Sequence, residues 1–121
     1  MSTYGPNNLR LHVGLDYLFV ALGLVAPCVL VYSQNFEATA YTLALTLFGF
    51  GLNLVTDYPG GLWRKLPFKW HRYVEWTTPV PFILIPWLFF SHAGAMPWFL
   101  TALGVAILLN STFTRPRPPL N

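Results

Sequence analysis

Two histidine–carboxylate pairs have the residue types and spacing for chemistry in this 121-residue chain: His12 with Asp16, and His71 with Glu75. Members of each pair are four residues apart, so on a helix they share a face. Imidazole nitrogen and carboxylate oxygen together can hold a transition ion, and two histidines can ligate a haem iron from both sides. His12 and His71 are therefore the candidate cofactor-binding residues, for haem or a chlorophyll-type pigment. A plainer reading competes and is preferred from sequence alone. In it each acid lies in the first turn of its helix, where the positive helix end favours it, and pairs with a nearby Arg or His at the lipid surface. That reading assigns no catalytic residue and no metal ligand, and it leaves the cofactor unknown.

The elements that must position these pairs are membrane spans. Hydrophobic residues make up 55% of the chain and charged residues 9%, far below the ~25% charge of soluble domains. So few charges cannot cover a small soluble surface, and the abundance of aliphatic and aromatic residues excludes disorder. Cys28 is the single cysteine, which excludes a disulfide scaffold. Four apolar stretches follow: Leu15 to Tyr32, Ala38 to Val55, Trp76 to Phe90 and Pro97 to Phe113. Each is slightly shorter than the ~20 residues a spanning helix needs, and flanking Trp and Tyr extend them into the headgroup layer. Their continuous apolarity predicts helices, since barrel strands alternate polar with apolar. The first stretch ends in Val25-Ala26-Pro27-Cys28, which has the look of a lipoprotein cleavage site. Proline before the cysteine disfavours cleavage, so this stretch is expected to remain a span.

All seven Lys and Arg fall before the first stretch, between the second and third, or after the fourth. Basic residues mark the cytoplasmic side, so both termini and the middle linker are expected there. The net charge of +3 thus reports topology and implies no nucleic acid. The aromatic and basic linker LWRKLPFKWHRY reads as an interfacial segment on anionic lipid.

Comparing the chain with itself at a shift of 59 residues aligns Arg10 with Lys69, His12 with His71, Asp16 with Glu75 and Pro27 with Pro86. A shortening of about two residues in the second outer connection then brings Asn53 onto Asn110. This predicts an all-α membrane domain over 1–121 built as two tandem helical hairpins, 10–59 and 69–116. Both hairpins start in the cytoplasm and are related by an axis along the membrane normal. These features resemble the SPW repeat family of small bacterial membrane proteins, whose hairpins carry a Ser-Pro-Trp motif in the first helix, commonly after a His and an acid. The motif positions here are Ala26-Pro27-Cys28 and Ile85-Pro86-Trp87, and TDYPGGLWRKLPFKWH is similar to the family's linker. Proline is kept twice, tryptophan once and serine not at all. The resemblance implies this fold and a bacterial cytoplasmic-membrane location. The family has no established activity to carry over.

Other features bear on function. Pro27 and Pro86 leave the carbonyls of Gly23 and Phe82 without helical partners, and Pro79 with Pro81 predicts irregularity near the start of the third helix. Ala40 with Ala44, and Ala102 with Ala106, permit close helix packing, inside the bundle or against another subunit. Asn53 and Asn110 suit interhelical hydrogen bonds, and His92 reads as a solvated loop residue. No ionisable residue is expected near the bilayer midplane, where pumps keep theirs. Phosphate loops, nucleophile elbows and Cys-x-x-Cys motifs are missing. The expectation is a non-enzymatic accessory or assembly subunit of a larger, energy-transducing membrane complex. A haem or pigment protein and a small solute channel or carrier are the alternatives.

Overall fold

The structure, a computed structural model, describes residues 9–29 and 35–114. The tails with Arg115 and Arg117, and most of the connection between the first two helices with Tyr32, lie outside the described residues. The described chain is helical: α1 Leu9–Val29, α2 Phe36–Val55, α3 Phe68–Trp76, a π-helical segment Val80–Leu84, α4 Ile85–Phe89 and α5 Met96–Phe113. Three of these, α1, α2 and α5, are long and apolar enough to cross a membrane.

The third apolar stretch is the broken one, and its prolines explain why. Pro79 and Pro81 bring no N–H to the helical ladder. The N–H of Ile85 reaches back to the carbonyl of Val80, five residues away, which defines the π turn. The Pro81 carbonyl is thereby freed, and Tyr41 of α2 donates its hydroxyl to it at 2.6 Å. Asn35 caps α2, its side-chain oxygen accepting from the N–H of Ala38 at 2.9 Å.

Packing is inside out relative to a soluble bundle. Leu18, Leu22, Val29, Leu47 and Leu109 are exposed, while Thr42, Asn53, Thr56, Ser111 and Thr114 are buried. Apolar packing concentrates at one end, where Ala38, Ala93, Met96 and Leu100 cluster under Tyr41, Phe82 and Phe90. Close helix approach uses residues other than the alanine pairs. Ala40, Ala44 and Ala102 face outward and Ala106 is half-buried. A Cβ built on Gly23 would lie 2.1 Å from Thr46 Oγ1, and one on Gly104 would lie 2.6 Å from Phe82 Cβ. Glycine at these two positions lets α1 meet α2 and α5 meet the π segment. Toward the same end, Trp87 donates its indole N–H to Thr101 at 2.8 Å and stands edge-on to Trp98. Pro27 and Pro86 are both buried.

The linker folds back over the opposite end. The N–H groups of Leu62 and Trp63 bond the carbonyl of Leu54, and those of Lys65 and Leu66 bond that of Val55. These contacts satisfy carbonyls that the end of α2 leaves without helical partners. A Cβ on Gly61 would meet the Thr56 carbonyl oxygen at 1.9 Å, so the loop can close only with glycine there. The linker's aromatics divide: Trp63 and Trp70 are exposed, whereas Tyr58 is wholly buried.

Candidate metal centre

At the end of the bundle covered by the linker, the two histidine–carboxylate pairs meet. His12 and Asp16 come from α1, His71 and Glu75 from α3, and all four are buried. One ligand atom from each lies within 4.8 Å of all the others. His12 Nε2 is 3.2 Å from Asp16 Oδ2 and 3.1 Å from Glu75 Oε1. His71 Nε2 is 3.1 Å from Asp16 Oδ2 and 3.0 Å from Glu75 Oε2. Each imidazole thus faces both carboxylates, its own and that of the other helix.

The placement corrects the capping expectation. Asp16 lies beyond the first turn of α1, and Glu75 is near the end of α3, so neither acid is in a first turn. Their partners are histidines inside the bundle, away from the lipid surface. Haem ligation does not fit either. With ring centroids 5.7 Å apart and carboxylate oxygens about both Nε2 atoms, no slot for a macrocycle separates His12 from His71.

The far nitrogens of the rings fix which lone pairs point inward. Thr56 donates its hydroxyl to the Leu52 carbonyl at 2.6 Å, and Thr114 donates to that of Asn110. Each threonine proton is therefore committed. Thr56 Oγ1, 2.7 Å from His71 Nδ1, and Thr114 Oγ1, 2.7 Å from His12 Nδ1, must accept from the rings. This network assigns the proton of each neutral imidazole to Nδ1. The Nε2 lone pairs are left facing the carboxylates, as in metal sites whose histidines are oriented by an outer hydrogen bond.

Distances alone would describe four ion pairs. Directions do not: both Nε2 atoms and Glu75 Oε1 are buried without a hydrogen bond. Buried polar atoms are rarely left so, and three of them converging on one point is the pattern of ligands around a cation. The nitrogen–oxygen separations of 3.0–3.2 Å lie between the ~2.9 Å edge of an octahedron and the ~3.3 Å edge of a tetrahedron for bonds of about 2.0–2.1 Å, while the full set spans up to 4.8 Å and would have to draw in around an ion. Burial pulls the His71 pKa down, but the Asp16 and Glu75 carboxylates outweigh it and raise the pKa above the ordinary value. The lone pair that holds that proton is the one a metal would take.

Residues that the sequence did not single out complete the centre. Tyr58 donates its hydroxyl to Asp16 Oδ2 at 3.1 Å, and burial holds the phenol protonated by raising its pKa. Phe68 stands edge-on to His12 and tilted over His71. Asn110, expected as an interhelical partner, donates to the His12 carbonyl at 3.2 Å and to Asp16 Oδ1 at 3.4 Å. A Thr four residues after a Leu or Asn at a helix end was the signal available for Thr56 and Thr114, and it is too common to stand out. Exposed His92 lies far from this cluster, beside Asn35 and Glu37. No family model, curated protein or solved structure matches the chain, and the geometry of these side chains is what speaks for its chemistry.

Proposed function

We propose that this chain is an integral membrane protein of four spans that holds one divalent first-row transition ion, such as Zn²⁺ or Fe²⁺, on His12, Asp16, His71 and Glu75. The observation that carries the reading is the crossed orientation of the imidazoles: a threonine at the end of α5 orients the histidine of α1, and one at the end of α2 orients that of α3. Mixed imidazole and carboxylate donors suit zinc, iron and their neighbours. Two carboxylates also cancel the charge of a divalent ion, which favours burial in a low-dielectric bundle. The two halves act as parallel hairpins with their His-x-x-x-acid ends in the cytoplasm of a bacterial cell.

Elemental analysis of the purified protein should find a single transition ion per chain, and His71→Gln should remove it. Thr56→Val and Thr114→Val keep all four ligands but free the rings, and each should weaken metal affinity by about 10–100-fold. If the ion is bound equally well by both valine variants, the orienting role of the threonines is wrong.

Orientation has its own test. In a Cys28→Ser background, cysteines placed at Asn35 and Ser91, both exposed, should react with an impermeant thiol reagent from outside the cell. A cysteine at Lys65 should react only after lysis. Labelling of Lys65 alone in intact cells would invert the topology.

A second reading, an accessory subunit of a larger membrane complex, is supported by the outward Ala40, Ala44 and Ala102 beside exposed leucines on α2 and α5. Small outward residues favour helix association. Copurification in mild detergent that is lost with Ala102→Trp would support it.

A further inference from the structure

A cavity of about 370 Å³ lies inside the bundle directly against the metal centre, and Asp16 and Glu75 form part of its wall. That volume is roughly a dozen water molecules at about 30 Å³ each, within the range of small-molecule sites. It exists because packing is lopsided. Helix α1 packs on α5, with Asn110 bridging them at the carboxylate. The equivalent contact between α2 and α3 is not closed, and Asn53, the counterpart of Asn110, lines the cavity. Pro81 and Phe82 of the π segment stand on the cavity wall.

The lining has two characters. Phe19, Phe48, Phe82, Leu45, Leu103 and Ile107 make most of it apolar. At the metal end stand the two carboxylates and Thr78, whose hydroxyl is buried without a hydrogen-bond partner. Glu75 Oε1 faces His12 Nε2 at 3.1 Å and belongs to the metal centre, which leaves the Thr78 hydroxyl as the polar group without a partner on this wall. A buried hydroxyl without a partner on a residue of the cavity wall marks where a ligand's polar atom belongs. Entry is from the bilayer. Phe48 lines the cavity and is 61% exposed on the helix surface, while the linker and the buried Tyr58 cover the end that faces water.

Resting on the metal reading, we propose that this cavity takes a neutral, membrane-soluble alcohol or phenol, its oxygen beside the metal and Thr78 and its apolar body among the phenylalanines. Neutrality follows from charge. A divalent ion, two carboxylates and two neutral imidazoles sum to zero, so an ionic head group would be desolvated with no counter-charge. A hydroxyl can give a lone pair to the metal and exchange a hydrogen bond with Thr78. A hydrocarbon can do none of these.

The experiment uses the full chain loaded with Co²⁺ in nanodiscs, with 4-hexylphenol as probe and hexylbenzene as the oxygen-free control. Metal binding is read from the visible Co²⁺ band, and occupancy from the melting temperature. 4-Hexylphenol should shift both saturably, and hexylbenzene should leave the Co²⁺ band unchanged. Gly49→Phe should keep the Co²⁺ band and lose both responses to the phenol. Gly49 lines the cavity, and a Cβ there meets nothing within 4 Å, so the ring enters open space. Thr78→Val, close to isosteric, should keep the metal and weaken the phenol about 10-fold, the 1.4 kcal/mol scale of one neutral hydrogen bond. Equal responses to phenol and hexylbenzene, or an undiminished phenol response in both variants, would overturn the proposal and leave the metal centre standing. A missing Co²⁺ band in the unmodified protein overturns the metal reading instead. A melting shift by the phenol that persists there and vanishes in Gly49→Phe would then identify a cavity for lipophiles without a metal.

Discussion

Stripping the metal with a membrane-permeant chelator should lower the melting temperature of the purified protein by many degrees, and re-addition of Zn²⁺ should restore it. A ligand bound only to the folded state stabilises it by about 4 kcal/mol when present at 1,000 times its dissociation constant. In a chain of this size each kcal/mol moves the melting point by several degrees. The loss should be largest for contacts that converge on the centre, because Tyr58, Phe68 and Asn110 all pack on its ligands. His71→Gln should melt like the stripped protein and gain nothing from added Zn²⁺. Identical melting of stripped and loaded protein, with metal retained by His71→Gln, would remove the metal centre from consideration.

The linker should be the second most sensitive region. Gly61→Ala forces a methyl against a backbone oxygen at 1.9 Å, which no side-chain rearrangement relieves. Overpacking typically costs about 1–3 kcal/mol, and here the loop must lift from the carbonyls of Leu54 and Val55 that it serves. Gly51→Ala is the control. Gly51 lies within α2, where an added Cβ meets nothing within 4 Å, and alanine should stabilise the helix by about 0.5–1 kcal/mol. Thermal unfolding with hydrogen exchange on residues 58–66 separates the two effects. Faster exchange confined to the linker in Gly61→Ala is the expected result. Equal stability of the two variants would mean that the linker does not close tightly on the bundle.

Much of this arrangement was legible in the sequence, for identifiable reasons. Continuous apolarity located α2 and α5 to within a few residues, but α1 begins at Leu9, before the expected Leu15, and the third stretch, expected from Trp76 to Phe90, is broken and preceded by α3 from Phe68. The polar Arg10 and His12 delayed the expected start of α1, although both lie within it. The irregularity near Pro79 and Pro81 followed from their missing N–H groups. The i, i+4 spacing placed each histidine beside an acid. It did not reveal that the pairs interlock, because that depends on how α1 and α3 face each other across the bundle. Nor did it reveal Thr56 and Thr114, whose role comes from the committed direction of a hydroxyl proton. The linker was read for its charges and rings as a lipid-facing segment. Trp63 and Trp70 fit that reading, and Tyr58 does not.

The crossing of threonines and histidines has a consequence for how the protein is made. The stretch 9–55 contributes His12 and Asp16 without the hydroxyl that orients His12, which arrives only with Thr114 at the far end of α5. The stretch 68–114 contributes His71 and Glu75, and depends on Thr56 from the earlier half. A ribosome still translating the second half therefore presents half a ligand set with a freely turning imidazole. If the centre holds an ion, its full ligand set is oriented only once the final helix has docked on the first. An ion bound there would report on assembly, held tightly only by chains whose two halves have found each other.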